Sequence, residues 1–477
     1  MKHIPQSQLK IRRQEPWAGL EAQWQSAAAS LPGKLIVLDD DPTGVQTVHG
    51  VPVYTSWEED ACAALLGEES RVVFLLTNSR AMGEKESIAL HRSIAENIKG
   101  ALARKGMGKD QILLVLRGDS TLRGHYPAEM DTLKEAFYGA ELPHGEIHIP
   151  AFFEGGRYTI HGVHYLLRGD TLIPVGETEF AKDPIFAYKS SAVGEWIREK
   201  RGWHDCADNI VHIDLDLLRS GQAEDIAALL LHAGQDARII VDAVDDWDLR
   251  QFCIGLAQAM QDGRRYLFRT AASAIGMLGG IPGAPLLRPE EINPTGGSGL
   301  VIVGSFVNKT TEQLKELQRE QGIYFYEADV QQVLARSIEE EAARAAARLD
   351  AALEEGQTAC LYTSRGYYGA ELPEAEKLRN SKSISDFLVE TVRKITRQPG
   401  YLIAKGGITS SDIGVKGLGV RRAMVAGQAA AGVPVWNTGK DSLFPGMRYV
   451  IFPGNVGESH SLRELVRGLE AVKESKT

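Results

Sequence analysis

A chain of 477 residues is too long for one ordinary core, so two domains are expected. With 43% hydrophobic and 24% charged residues it is globular in composition, and a net charge of −10 argues against a nucleic-acid partner, which wants a basic face. The same charge leaves room for an anionic small molecule held by a local arginine cluster. No window approaches eighteen apolar residues and the N-terminus has no signal-type apolar core, so neither a membrane span nor secretion is expected. Cys62, Cys206, Cys253 and Cys360 are scattered, with no C-x-x-C pair, which fits free thiols in a reducing cytoplasm better than a zinc site or a disulfide framework.

Residues 1–33 read as an extension, with a short helix over Trp17–Ala29 that serves as a packing arm. Leu35–Leu38 is a buried strand stopped abruptly by Asp39, Asp40, Asp41, Pro42, Thr43 and Gly44. Three carboxylates at one strand end repel one another unless a cation, a donor-rich ligand or an arginine answers them. A second strand is expected over Gly50–Thr55 and a third over Arg71–Leu76, the latter running into Thr77–Arg80. Apolar residues at helical spacing predict a helix over Glu84–Lys105. The strand Gln111–Leu116 then ends in the polar run Arg117–Gly124.

This alternation predicts a parallel sheet with helices on its faces, and ligands of such sheets bind beyond the carboxyl ends of the strands. Arginines and aspartates at successive strand ends suit a small ligand carrying hydroxyls and a carboxylate. Ile147–Tyr165 reads as an ordered loop; His161 and His164 have the spacing of metal ligands, but no further ligands accompany them. Asn209–Ile213 and Arg238–Asp246 read as strands with a helical stretch between them.

The Pro- and Gly-rich stretch 281–299 is the expected linker, dividing a first domain at 34–285 from a second at 286–477. The second restarts with the strand Leu300–Val303 and the corner Gly304–Ser305. Helices follow over Thr310–Glu320, capped by Thr310 or Thr311, and over Gln332–Glu355 and Ser383–Arg397, with a strand at Thr358–Tyr362. Tyr401–Lys405 runs into Gly406, Gly407, Ile408, Thr409 and Ser410 and then a helix, an arrangement that presents backbone N–H groups to an anion. It is not a Walker A loop, and no Gly-x-Gly-x-x-Gly fingerprint follows the first strand. A last glycine-rich turn, Phe452–Gly457, follows the strand Arg448–Ile451.

Taken together in order, Asp40–Gly44, Asn78–Arg80, Asp119–Gly124, Pro150–Arg157, Val241–Asp245, Gly304–Ser305, Gly406–Ser410 and Pro453–Gly457 resemble the four-carbon acid sugar kinase family over nearly all of residues 34–460. The resemblance implies two α/β domains, each with a mostly parallel sheet flanked by helices, and an active site in the cleft between them. It implies a first domain holding a tetronate at Asp41, Arg80, Arg123, Gly124, His125 and Tyr126. It implies a second holding ATP at Ser305, Gly406, Gly407, Ile408, Thr409 and Gly454, with Mg²⁺ on the phosphates and no protein metal cage. Asp41 would be the catalytic acceptor of the hydroxyl, with Asp39 and Asp40 as open alternatives. The chain departs from the family in its extension, in Phe452-Pro453-Gly454 where Lys-Ser-Gly is usual, and in His125-Tyr126 where an Asn is common. A cytoplasmic enzyme is expected, with a homodimer allowed and the oligomeric state left open. The competing readings are an NAD-dependent hydroxy-acid oxidoreductase and a non-catalytic sugar-acid-binding protein.

Overall fold

The structure, a computed structural model, describes residues 2–7, 18–202, 209–365 and 373–476. Trp17 and Cys206 lie outside these residues. The chain forms two units: Met1–Val48 with Ser56–Gly283, and His49–Thr55 with Ala284–Thr477. Each is an α/β unit on a mostly parallel sheet flanked by helices.

In the first unit seven parallel strands lie in the order Ile210–Ile213, Ala237–Val241, Gly145–Ile149, Tyr266–Thr270, Ile112–Arg117, Lys34–Asp39, Val72–Leu76. The central strands are apolar runs because helices cover both faces of such a sheet. Lys34 is tolerated at the start of its strand because its ammonium donates to the carbonyls of Glu68 (2.6 Å) and Ser70 (2.8 Å). From Lys34–Asp39 the chain places its next parallel strand, Val72–Leu76, on one side and Ile112–Arg117 on the other. The strand order therefore reverses beside Asp39 and Arg117, which are register partners, and such switch points open a crevice at the strands' carboxyl ends. The helix Glu84–Lys105 forms over its expected length and ends at Gly106 in the left-handed region (φ 64°).

The segment expected as a loop after Ile147 is instead structured. Gly145–Ile149 is a strand within the sheet, and Arg157–Ile160 and Val163–Arg168 form an antiparallel hairpin turned at His161 (φ 48°) and Gly162 (φ 73°). Thr171–Pro174 and Ile4–Pro5 extend that hairpin into a small second sheet. The strand was disguised by Glu146, which is fully buried yet paired with Lys134 (2.5 Å), Arg201 (2.7 Å) and Arg238 (3.3 Å). Tyr266–Thr270, a further unanticipated strand, likewise buries Arg269. The N-terminal helix runs Leu20–Ser30; Trp24 is buried and its indole donates to the Met277 carbonyl (2.8 Å). Among the described residues Cys62, Cys253 and Cys360 are buried free thiols.

In the second unit five parallel strands lie in the order Arg448–Phe452, Tyr401–Lys405, Gly299–Val303, Thr358–Thr363, Ile323–Ala328. Val433–Thr438 and Arg422–Ala430 continue the sheet antiparallel beyond Arg448–Phe452. The strand expected at Gly50–Thr55 is Pro52–Tyr54, and it pairs antiparallel with Arg422–Met424 of this unit.

In the second unit helix boundaries differ from expectation in three places. The helix expected over Thr310–Glu320 is Asn308–Leu317, and Thr310 is buried within it, its hydroxyl donating to the Gly454 carbonyl (3.1 Å) rather than capping. The long amphipathic stretch breaks into Val330–Ala335 and Ile338–Glu354, because Ser337 accepts from the Glu340 amide (3.4 Å) and caps a new start. The helix expected from Ser383 already begins at Glu374 and runs to Lys394. No helix among the described residues is long and apolar enough to cross a membrane.

Candidate functional site

In the first unit the three aspartates are separated by environment. Asp39 faces inward with its side chain 2% exposed and Arg117 Nη1 3.4 Å away. A Cβ at Gly44 would stand 2.0 Å from both its carboxylate oxygens, so the Thr-Gly corner closes over this carboxyl only because residue 44 is glycine. Burial pushes Asp39 up to about 8, Arg117 opposing and Asp40 and Asp41 reinforcing. Asp40 lies 3.5 Å from Arg117 and 3.7 Å from Arg80, and burial lifts it to about 6 against their pull.

Asp41 is the most open of the three, with 22% of its side chain exposed. One oxygen accepts from the Thr43 amide (2.8 Å) and hydroxyl (2.5 Å), and the other pairs with Arg80. Burial works to raise its pKa, but Arg80, Arg117 and Thr43 outweigh it and hold the carboxyl ionised, below the ordinary range.

Arg80 follows Asn78, which takes the left-handed region (φ 54°) and turns the chain after Val72–Leu76. Its other terminal nitrogen reaches Asp119 at 2.9 Å. Arg123 forks onto the same carboxylate through Nε (3.0 Å) and Nη2 (3.1 Å) and reaches Asp183 at 3.2 Å. Burial opposes the ionisation of Asp119, yet Arg123 and Arg80 hold it far below the carboxylate range. The loop carrying these groups is pinned from below: Arg269 Nη2 donates to the Arg123 carbonyl (3.1 Å). Gly118 and Gly124 leave that guanidinium room, since a Cβ at either would lie 3.2 Å from it.

The structure thus brings Asp41, Arg80 and Arg123 into one cluster, with Gly124 beside it. His125 and Tyr126 are buried and engaged elsewhere: a His125 ring nitrogen lies 3.0 Å from the Met82 carbonyl, and the Tyr126 hydroxyl donates to Glu146 (3.1 Å) and accepts from Arg201 (2.9 Å). Both ring nitrogens of His164 are occupied, by Thr159 Oγ1 (3.0 Å) and the Ser120 carbonyl (2.8 Å). Arg117 and Asp119 stand in the polar run already visible in the sequence, whereas Arg269 comes from an unrecognised strand and had no local signal.

In the second unit Tyr401–Lys405 turns at Gly406 (φ 125°) into the short helix Gly407–Asp412. A Cβ at Gly406 would lie 2.8 Å from Ser305 Cβ, one at Gly304 2.5 Å from Thr409 Oγ1, and one at Gly454 3.0 Å from Ser305 Oγ. Ser305, Gly406, Thr409 and Gly454 therefore converge at the carboxyl ends of three neighbouring strands, with Gly407 opening the helix and Ile408 exposed on it. Two cations missed in the sequence support this corner. Lys405 is fully buried; its ammonium donates to the carbonyls of Pro453 (2.5 Å) and Gly454 (3.3 Å) and lies 4.1 Å from the Phe452 ring centre. Burial, with Lys309 adding to it, brings Lys405 down to about 7. Arg365 donates to the carbonyls of Ser305 and Val303. Close-approaching backbone backed by cations is the chemistry of an anion site.

Residues 35–278 match the model of a sugar-binding N-terminal domain, and residues 300–462 that of a nucleotide-binding C-terminal domain. No curated protein matches the chain. Among solved structures it is similar to a Haemophilus influenzae protein, HI1011, of the DUF1537 family (18% identity, TM-score 0.59, 91% of this chain and 100% of that one). It is also similar to a Salmonella typhimurium LT2 protein provisionally described as a tRNA synthase (17% identity, TM-score 0.64, 91% and 98%). At these identities the likeness establishes the fold. The chain belongs to the family built from a sugar-binding N-terminal domain followed by a nucleotide-binding C-terminal domain, a pairing that fits the four-carbon acid sugar kinases.

Proposed function

We propose that the chain is an ATP-dependent kinase that phosphorylates a hydroxyl of a four-carbon sugar acid: threonate, erythronate or an oxo-tetronate. The observation that carries this reading is a conjunction. A carboxylate–arginine cluster stands at the switch point of the sugar-binding unit, and a glycine corner backed by cations stands in the nucleotide-binding unit. Phosphoryl transfer needs an oriented acceptor, charge neutralisation and positioned phosphates more than covalent chemistry.

In this reading Asp41 accepts the hydrogen bond of the attacking hydroxyl. A carboxylate held ionised by Arg80 and Thr43 is a weak base but a fixed acceptor, so orientation is its main task. Arg80 and Arg123 offset negative charge around the acceptor. Ser305, Gly406, Gly407, Ile408, Thr409 and Gly454 would line the nucleotide, where the close packing at Gly304, Gly406 and Gly454 supports backbone donation to its phosphates. Mg²⁺, which keeps several waters and takes few protein ligands, would ride on those phosphates and neutralise charge between them. A screen of tetronates and related sugar acids for ATP-dependent ADP release tests the reading. Turnover with one or more tetronates is expected, and hydride transfer from a nicotinamide cofactor in its place would overturn it.

A further inference from the structure

Every arginine of the cluster just described is already matched by carboxylates. Arg80 faces Asp41, Asp40 and Asp119; Arg117 faces Asp39 and Asp40; Arg123 faces Asp119 and Asp183. Such a cluster has little positive charge to spare for an acidic ligand. Arg157 is different. Among the described residues its one side-chain hydrogen bond goes to the Gly155 carbonyl, and its buried Nε has no partner. Among the described residues no carboxylate lies within ion-pair distance of it.

Its placement brings it to the same loop. Arg157 and Thr159 are two apart on one strand of the hairpin, and so project to the same face. Thr159 is the register partner of His164, whose ring meets the Ser120 carbonyl at 2.8 Å. That face of the hairpin therefore packs on the loop that carries Asp119 and Arg123. The Arg157 guanidinium is steadied against the Phe152 ring at 5.8 Å. Burial lowers its pKa, and the charges it feels most are those of Asp119 and Arg123.

We infer that Arg157 is the receptor for the carboxylate of the sugar acid, and that it selects acids over uncharged polyols of the same length. Arg80 and Arg123 also fix Asp41 and Asp119 beside it. A planar guanidinium is suited to a carboxylate in a two-point pairing, and a partly buried cation lacking a counter-ion gains most from one. This inference rests on the kinase reading above.

The test is calorimetric titration of the full chain with threonate and erythronate, set beside the uncharged tetritols of matching stereochemistry. Arg157→Met is expected to weaken tetronate binding roughly 10- to 100-fold, the usual range for a lost charge-assisted pair, and to bring it toward tetritol affinity. ATP affinity and the unfolding midpoint should stay in place. Arg157→Lys, which keeps the charge and loses the fork, should fall between the two. Unchanged tetronate affinity in a folded Arg157→Met overturns the inference. Should that variant fail to fold, unchanged affinity in Arg157→Lys does so instead. A wild-type chain that binds no tetronate removes the kinase reading with it, whereas wild-type binding that both variants retain removes only the role of Arg157.

Discussion

At the scale of residues, three adjacent aspartates carry three different protonation behaviours. Asp41 is held ionised and partly open, so in the proposed kinase Asp41→Asn, which removes the fixed acceptor that orients the attacking hydroxyl, should slow the chemical step by about 10²-fold or more. ATP affinity should be unchanged, and single-turnover rates beside nucleotide titrations check both. Asp39 should behave otherwise. Folded, it keeps its proton to about 8, above the unfolded value near 4. The folded state thus binds the extra proton between those values, and the stability this group confers is present at low pH and lost as pH rises through about 8. Asp39→Asn removes the group, so its unfolding temperature should fall less than the wild type's between pH 5 and 8. A parallel decline in both proteins would contradict the assignment. That the Asp39–Asp41 acids need counter-charges was legible in the sequence because three acids at a strand end demand an answer, and Arg80 and Arg117 supply it. Which acid does what was not legible, since that depends on Arg117 and Arg80 arriving from two other strand ends.

At the scale of elements, the corner at Gly406 makes a sharper prediction than any single side chain. With φ at 125° and Ser305 Cβ 2.8 Å from where a Cβ would stand, Gly406→Ala strains the backbone and pushes Ser305 aside. ATP binding should weaken by at least tenfold while tetronate binding persists; intact ATP affinity would reduce the corner to packing. Elements whose residues follow one period were readable in advance: the apolar strands Lys34–Asp39 and Val72–Leu76, and the helix Glu84–Lys105. Those that break period for a buried network were not. Gly145–Ile149 alternates Glu146 and His148 into the interior, where Lys134, Arg201 and Arg238 compensate the carboxylate from distant places in the chain. Ser337 shows the converse, a local cap outweighing an amphipathic pattern that continued through it.

At the scale of the whole molecule, the segment His49–Thr55 belongs to the second unit although the first unit surrounds it in sequence. Its strand is held by bonds from Gly50 to the Val425 carbonyl (2.8 Å), from Val425 to the Val51 carbonyl (2.9 Å) and from Thr55 to the Arg421 carbonyl (3.0 Å). Val53, 1% exposed, sits in the middle of it. Val53→Asp would bury an unpaired carboxylate there. Hydrogen exchange should then show the amides of Arg422–Val425 losing protection while those of Ile112–Arg117 keep theirs; loss in both places would contradict the division. The same arrangement sets a timetable for synthesis. The partner residues of this strand are made about 370 residues after it, which at roughly 5–20 residues per second leaves it waiting on the order of 20 to 70 s. During that interval Val51, Val53 and Tyr54 have no ladder to join, and the nascent chain must shelter them or offer them to a chaperone until Arg422–Met424 emerge near its end.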